Sequence, residues 1–230
     1  MLSPYDWQES ISQRGEYIEQ RLRFGSPIVG LSIEEGVLLY TYRKNVRKVY
    51  EVYDCIMFSA MGQQADVEAV RIAAVDFAHR EGYMRSEQDV TGGRIVGFAL
   101  STPLRQAFGD ITSTPRVVRA VFAELCQTPE NDHFFRLDYD GDFQLRHHYC
   151  VAGGSADHEQ RMSDLLKEKH DVKLSLEEAI ALAEEVWRAG ADLHGTGTPE
   201  ASLVAGARPE AGFLTRSTKH DRRFRVLELK

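Results

Sequence analysis

The sequence predicts an α+β fold in four layers, an α-β-β-α sandwich of two antiparallel sheets packed face to face with a helix pair on each outer side. Three observations lead there. Short runs rich in β-branched and aromatic residues come in groups, and pairs of helix-period segments separate the groups. Connections inside a group are too short for a crossover helix, so the runs pair antiparallel. The strict strand-helix alternation of a doubly wound nucleotide-binding sheet is absent. The 230 residues, 43% of them hydrophobic, suffice for a substantial core, and residues 1–230 read as one domain with a flexible lead, 1–6, ahead of an N-terminal helix, 7–22.

In order, Trp7 to Leu22 spaces Trp7, Ile11, Ile18 and Leu22 along one helical face. Strand-like runs follow at Ile28 to Ile33, Val37 to Tyr42, Lys48 to Tyr53 and Cys55 to Ala60. Asp66 to Arg80 then carries Val67, Val70, Ala74, Phe77 and Ala78 on one stripe, with Gly82 as the expected stop. Ser86 and Asp89 resemble a capping box that starts a second helix, running toward Phe108. A second strand group spans Arg116 to Leu125, His133 to Tyr139 and Phe143 to Val151, the last two joined by the Asp-Gly turn of DYDGD. Helices are expected at Asp157 to Lys169 and, behind the capping box SLEE, at Ser175 to Gly190, burying Leu176, Ala179, Ile180, Ala183 and Trp187. Ala201 to Ala207 and Arg223 to Leu229 read as closing strands, and Gly190 to Gly212 is the loosest stretch.

Composition narrows the function. A formal charge of -7 argues against a nucleic-acid partner, because phosphate binding relies on clustered Lys and Arg. The local exception, Lys219, Arg222, Arg223 and Arg225, is broken by Asp221 and Phe224 and reads as a solvated strand end. No window approaches the ~20 apolar residues of a membrane helix, and the first 22 residues are too polar for a signal peptide, so no membrane partner and a cytoplasmic location are expected. Cys55, Cys126 and Cys150 stand singly in apolar stretches and read as reduced, buried thiols. Adjacent His147 and His148 would point to opposite faces of a strand and share no metal, and Asp76 with His79 reads as a polar helix face. The GTGT and VAGGS loops lack phosphate-cradling spacing, and DYDGD lacks the later glutamate of a calcium loop. Neither metal nor cofactor is expected.

The order of elements, together with SPIVGLSIEEGVLLYTY, RKVYEVYDCIMFSAMGQQADVEAVRIAAVDFAHREGY, SEQDVTGGRIVGFA, RLDYDGDF and YCVAGGS, resembles the bacterial proteasome α subunit, a member of the N-terminal-nucleophile (Ntn) hydrolase superfamily. The resemblance runs from the N-terminal helix to about Val204. In active relatives a threonine opens the first strand, its own freed α-amino group acting as the base, and an aspartate stands on the second strand. The matching positions here are Ser26 and Tyr42.

The resemblance therefore implies a non-catalytic subunit, not an enzyme by itself. It implies a heptameric ring of α neighbours stacked on proteolytic β subunits, a gate at the N-terminal segment with Tyr5 and Asp6, and pockets between neighbouring α subunits that receive the C-terminal tails of a ring ATPase or other activator. Lys48 matches the lysine that meets the tail's carboxylate and Gly62 the backbone position lining the same pocket. Trp7, Ile11 and Ile18 are the expected ring contacts. Two alternatives are an active Ntn peptidase that uses Ser26 after autoprocessing, and a self-assembling scaffold without a protease partner. The residue-level alternatives are a solvated Lys48, a Gly62 needed only by its turn, and a helix packed on its own sheet.

Overall fold

The computed structural model describes residues 4–217 and 223–229, with side chains from Trp7 onward. Helix α1 (Pro4–Leu22) precedes β1 (Ile28–Ile33), β2 (Gly36–Arg43), β3 (Val49–Tyr53) and β4 (Ile56–Gly62). Helix α2 (Gln64–Met84) is followed by α3 (Gly92–Arg94), which passes through a π-helical turn (Ile95–Ser101) into α4 (Thr102–Gly109). Next come β5 (Val118–Glu124), β6 (His133–Leu137), β7 (Phe143–Arg146) and β8 (Tyr149–Ala152), then α5 (Ala156–Lys169) and α6 (Leu176–Ala191). A short α7 (Ala201–Val204) leads into β9 (Arg208–Thr215) and β10 (Phe224–Leu227).

The strands form two five-stranded sheets in the orders β10-β9-β2-β1-β8 and β3-β4-β5-β6-β7, with every pairing antiparallel. Three apolar layers explain the architecture. Val29, Leu31 and Tyr40 pack against α5 and α6, Ile56, Phe58 and Phe122 against α2 and the π turn, and Ile28, Leu39, Met57, Val121 and Phe134 fill the space between the sheets. Central strands are thus covered on both faces, which is why β1 is buried at all positions and reads as a continuous apolar run. The predicted four-layer sandwich is the observed one.

Several boundaries moved, each for a physical reason. Helix α1 starts at Pro4 instead of Trp7, a proline being well suited to a first helical turn because φ is preset and the missing N–H has no partner to lose. Gly82 does not stop α2. A Cβ there would lie 2.3 Å from the Tyr53 hydroxyl, so that glycine serves close packing and the helix runs on to Met84. Ser86 caps only a single 3-10 turn, and the longer helix begins after Thr91, whose side chain accepts from Arg94 N–H. The run Phe143 to Val151 is two strands in different sheets, the chain crossing between them at His147 and His148 with His148 at φ 65, so neither histidine lies on a strand. Ala201 to Ala207 is not a strand: it holds α7, and the strand that follows pairs with β2 from Gly36 to Arg43.

The C-terminal half of α1 closes one end of the inter-sheet core, where Ile18 and Leu22 are fully buried. An ionic cluster fixes it there. Arg119 of β5 reaches Glu19 of α1 at 2.8 Å, Asp138 at 2.6 Å and the Gly153 carbonyl at 2.8 Å, while Arg136 joins Asp138 and Glu159. Arg14 caps the far end of α4, donating to the carbonyls of Ala107, Phe108 and Ser113.

Candidate functional site

A pocket of about 380 Å³ opens where the end of α1 meets the β2–β3 connection, and Lys48 and Gly62 both line it. Ser26 and Tyr42 lie on its walls as well. Residues far apart in sequence converge here because antiparallel pairing sets the start of β1 beside the end of β2, Ile28 opposite Thr41, while β4 ends beside β5 with Gly62 opposite Val118.

Lys48 immediately precedes β3. Its amine donates to the Ser26 carbonyl at 3.2 Å and lies 3.5 Å from the Thr41 hydroxyl. Among the described residues no carboxylate lies within ion-pair distance of that amine. Burial pushes the Lys48 amine down to about 8, an effect that Glu210 opposes. Such an amine retains a preference for an anion in direct contact, and its own chain supplies only the more distant Glu210.

Gly62 has φ 134, and a Cβ there would meet the Val117 carbonyl oxygen at 2.1 Å. The backbone thus requires glycine at this position for its own reasons.

Ser26 is heavily engaged. Its hydroxyl accepts from Trp187 Nε1 at 3.1 Å and from Tyr42 N–H at 3.2 Å and shares a contact of 3.2 Å with Thr41, whose own hydroxyl donates to the Pro27 carbonyl at 2.7 Å. Tyr42 stacks on Trp187 with ring centroids 3.9 Å apart and carries its hydroxyl toward Glu184 at 3.5 Å. An aromatic stack thus occupies the position that the resemblance gives to an aspartate in active relatives. The α-amino nitrogen of Ser26 is a peptide nitrogen in this chain, and the segment before it is anchored through Leu22 and the Gly25 N–H bond to the Leu22 carbonyl at 2.7 Å.

The chain matches the family model described as proteasome subunit over residues 23–198. The chain belongs to the proteasome subunit family. Among its relatives, the proteasome subunit alpha of Acidothermus cellulolyticus is 33% identical over 80% of this chain and 78% of its own length. That of Actinosynnema mirum is 32% identical over 96% and 82%, and that of Kineococcus radiotolerans 31% over 96% and 91%. The family match begins just after α1, at the approach to the Lys48 pocket.

The remaining expected positions separate. Trp7 is 50% exposed and Ile11 partly exposed, and both line a groove with Phe108, Phe143 and the Asp140 to Asp142 turn. Ile18, in contrast, is enclosed by its own chain and offers no surface to a neighbour, since it points into the inter-sheet core. The side chains of Tyr5 and Asp6 and all of residues 1–3 lie outside the described residues, as do Lys219 and Arg222 of the basic cluster. Among the described residues no group of three or more His, Cys, Asp or Glu could hold a metal ion, and no helix is long and apolar enough to cross a membrane.

Two residues of the site were not foreseen. Trp187 was recognisable only as a core residue of α6, and nothing in its spacing says that its indole N–H reaches Ser26. Glu210 sits in a glycine- and proline-bearing stretch that reads as loop, yet it is 3% exposed and accepts the Lys48 N–H at 2.8 Å. A lone charge among small residues carried no usable signal.

Proposed function

We propose that this chain is a non-catalytic α-ring subunit of a cytoplasmic proteasome. It caps proteolytic β subunits, its N-terminal segment gates substrate entry, and its Lys48 pocket receives the C-terminal carboxylate of a ring ATPase or other activator. The observation that carries this reading is the half-buried Lys48 amine, which lines one pocket with Gly62 and has no carboxylate within ion-pair distance among the described residues. A single terminal carboxylate matches that demand in charge and size. The engagement of Ser26 by Trp187 and Tyr42 supports the absence of a catalytic role, because an Ntn nucleophile needs a free hydroxyl and a free α-amino group. Exposed Trp7 and Ile11 offer an apolar surface suited to a neighbouring copy in a ring.

Co-expression with a proteasome β subunit, followed by native mass spectrometry and electron microscopy, tests the proposal. Stacked rings containing the full-length 26.0 kDa chain are expected. Monomers alone, rings that exclude the β subunit, or a mature chain beginning at Ser26 would contradict it, the last in favour of an active peptidase.

A further inference from the structure

Behind the Lys48 pocket lies a carboxylate that the sequence pattern does not single out. Glu210 lies on β9 opposite Thr41 of β2, is 3% exposed, and accepts the Lys48 backbone N–H through Oε2 at 2.8 Å. Arg43 and Arg47 approach the same carboxylate at 3.8 and 3.6 Å. Its Oε1 has no hydrogen-bond partner among the described residues. A buried carboxylate held this incompletely is costly at a strand position where an apolar side chain would pack. It earns its place by what it organises.

We propose that Glu210 is the positioning residue of the carboxylate pocket, anchoring Lys48 by its backbone and balancing the cations that converge around the amine. This rests on the docking reading given above.

The geometry supplies the argument. Lys48 follows a connection, residues 44 to 47, that is exposed throughout. Without a tether such a connection leaves the direction of the next side chain loosely set. The bond from Lys48 N–H to Glu210 joins this connection to the sheet that holds Thr41, and the amine meets Ser26 just ahead of β1 in that sheet, so backbone and amine are fixed against one sheet and its entry.

Charge points the same way. Tyr42 and Arg43 approach from β2, Lys44 and Arg47 from the connection, and Glu210 from β9. On the neighbouring helices, Glu184 pairs with Arg188 in α6 and Glu68 with Arg71 in α2, so those carboxylates are already committed. Glu210 is therefore the anion that sustains the charge of Lys48 against burial. With Arg43, Arg47 and Lys48 around it, Glu210 leaves a net positive site that favours an incoming carboxylate.

The test uses the full chain and a fluorescein-labelled hexapeptide with a free C-terminal carboxylate, its C-terminal amide serving as control, with affinities read from about pH 6.5 to 9.5. In parallel, the rate of reductive methylation of Lys48 across the same pH range, read by mass spectrometry, reports its protonation without any ligand. Wild type should prefer the free acid about tenfold, and lose that preference above pH 8. Glu210→Gln keeps shape and an acceptor but removes charge, and should move both alkaline midpoints down by about one pH unit. Glu210→Ala should also lower the affinity at pH 6.5, where Lys48 is charged, because the backbone anchor is gone. Lys48→Ala should erase the difference between acid and amide.

If Glu210→Gln and Glu210→Ala match wild type in affinity and in methylation midpoint, the role of Glu210 is wrong and the pocket reading stands. If wild type does not distinguish acid from amide while the methylation midpoint still falls in Glu210→Gln, the docking reading is the one that fails. A merely structural role would lower affinity at every pH and leave the midpoint in place.

Discussion

Arg119 and Lys48 are two cations withdrawn from water in one molecule, and their surroundings treat them in opposite ways. Burial works against the charge of Arg119, but Asp138, Glu19 and Glu159 more than offset it and hold the guanidinium above its ordinary range. Lys48 has only Glu210, beyond ion-pair distance, to set against burial, and its amine is depressed to about 8. The first arrangement is complete. Its donors meet two carboxylates and a carbonyl within 2.8 Å, and together they tie α1, β5, β6 and α5 into one body. The second is complete only when an anion arrives. A cation buried with its carboxylates built in serves the fold, and one left without a carboxylate in an open pocket serves a partner.

The contrast can be broken by mutation, and the effects should fall in a definite order. Arg119→Ala takes one of two arginines from Asp138 and cuts the link from Glu19 of α1 to β5, and should cost about 2–3 kcal/mol in urea unfolding. A loss under about 1 kcal/mol would show that the cluster is ornamental. Ser26→Ala removes the acceptor used by Trp187 and by Tyr42 N–H and should cost about 1–2 kcal/mol, with peptidase activity of the assembled particle unchanged. A particle that lost activity with Ser26→Ala would revive a catalytic serine. Trp7→Ala should change the stability of the chain by under about 1 kcal/mol, since the indole is half exposed, and should weaken ring assembly as judged by sedimentation.

Lys48→Met should have the smallest effect on stability, neutral or slightly stabilising, because an amine without a carboxylate leaves an apolar stem behind. Its pH dependence has a definite sign. The folded amine titrates near 8 and the unfolded one near 10.5, so the unfolded state binds more protons between those values. The penalty from this group is full below pH 8 and fades as pH rises toward 10.5, and Lys48→Met should abolish that rise.

Much of this was legible in the sequence, and the exceptions share a cause. The four layers followed from periodicity because burial on two faces makes β1 and β2 continuous apolar runs and leaves α6 amphipathic behind its capping box. Lys48 and Gly62 were recognisable together only through family resemblance, and the structure places them in one pocket. What was hidden is long-range and polar. Glu210 contacts a residue 162 positions away, and Trp187 reaches Ser26 across 161, through hydrogen bonds that leave no trace in hydropathy. Strand β9 was misread for the same reason. Its opening Arg-Pro-Glu looks like a loop until Glu210 is seen buried against Lys48. Helical spacing puts Ile18 on an apolar face suited to a ring neighbour or to its own sheet, and it is the inter-sheet core of its own chain that the side chain enters.

The most direct test of the account is activator-stimulated degradation by the assembled α and β particle, comparing wild type with Lys48→Ala. Lys48→Ala should assemble normally, retain unstimulated cleavage of a short peptide, and lose stimulation by an activator bearing a free C-terminal carboxylate. Stimulation equal to wild type in particles of normal composition would contradict the role assigned to this pocket.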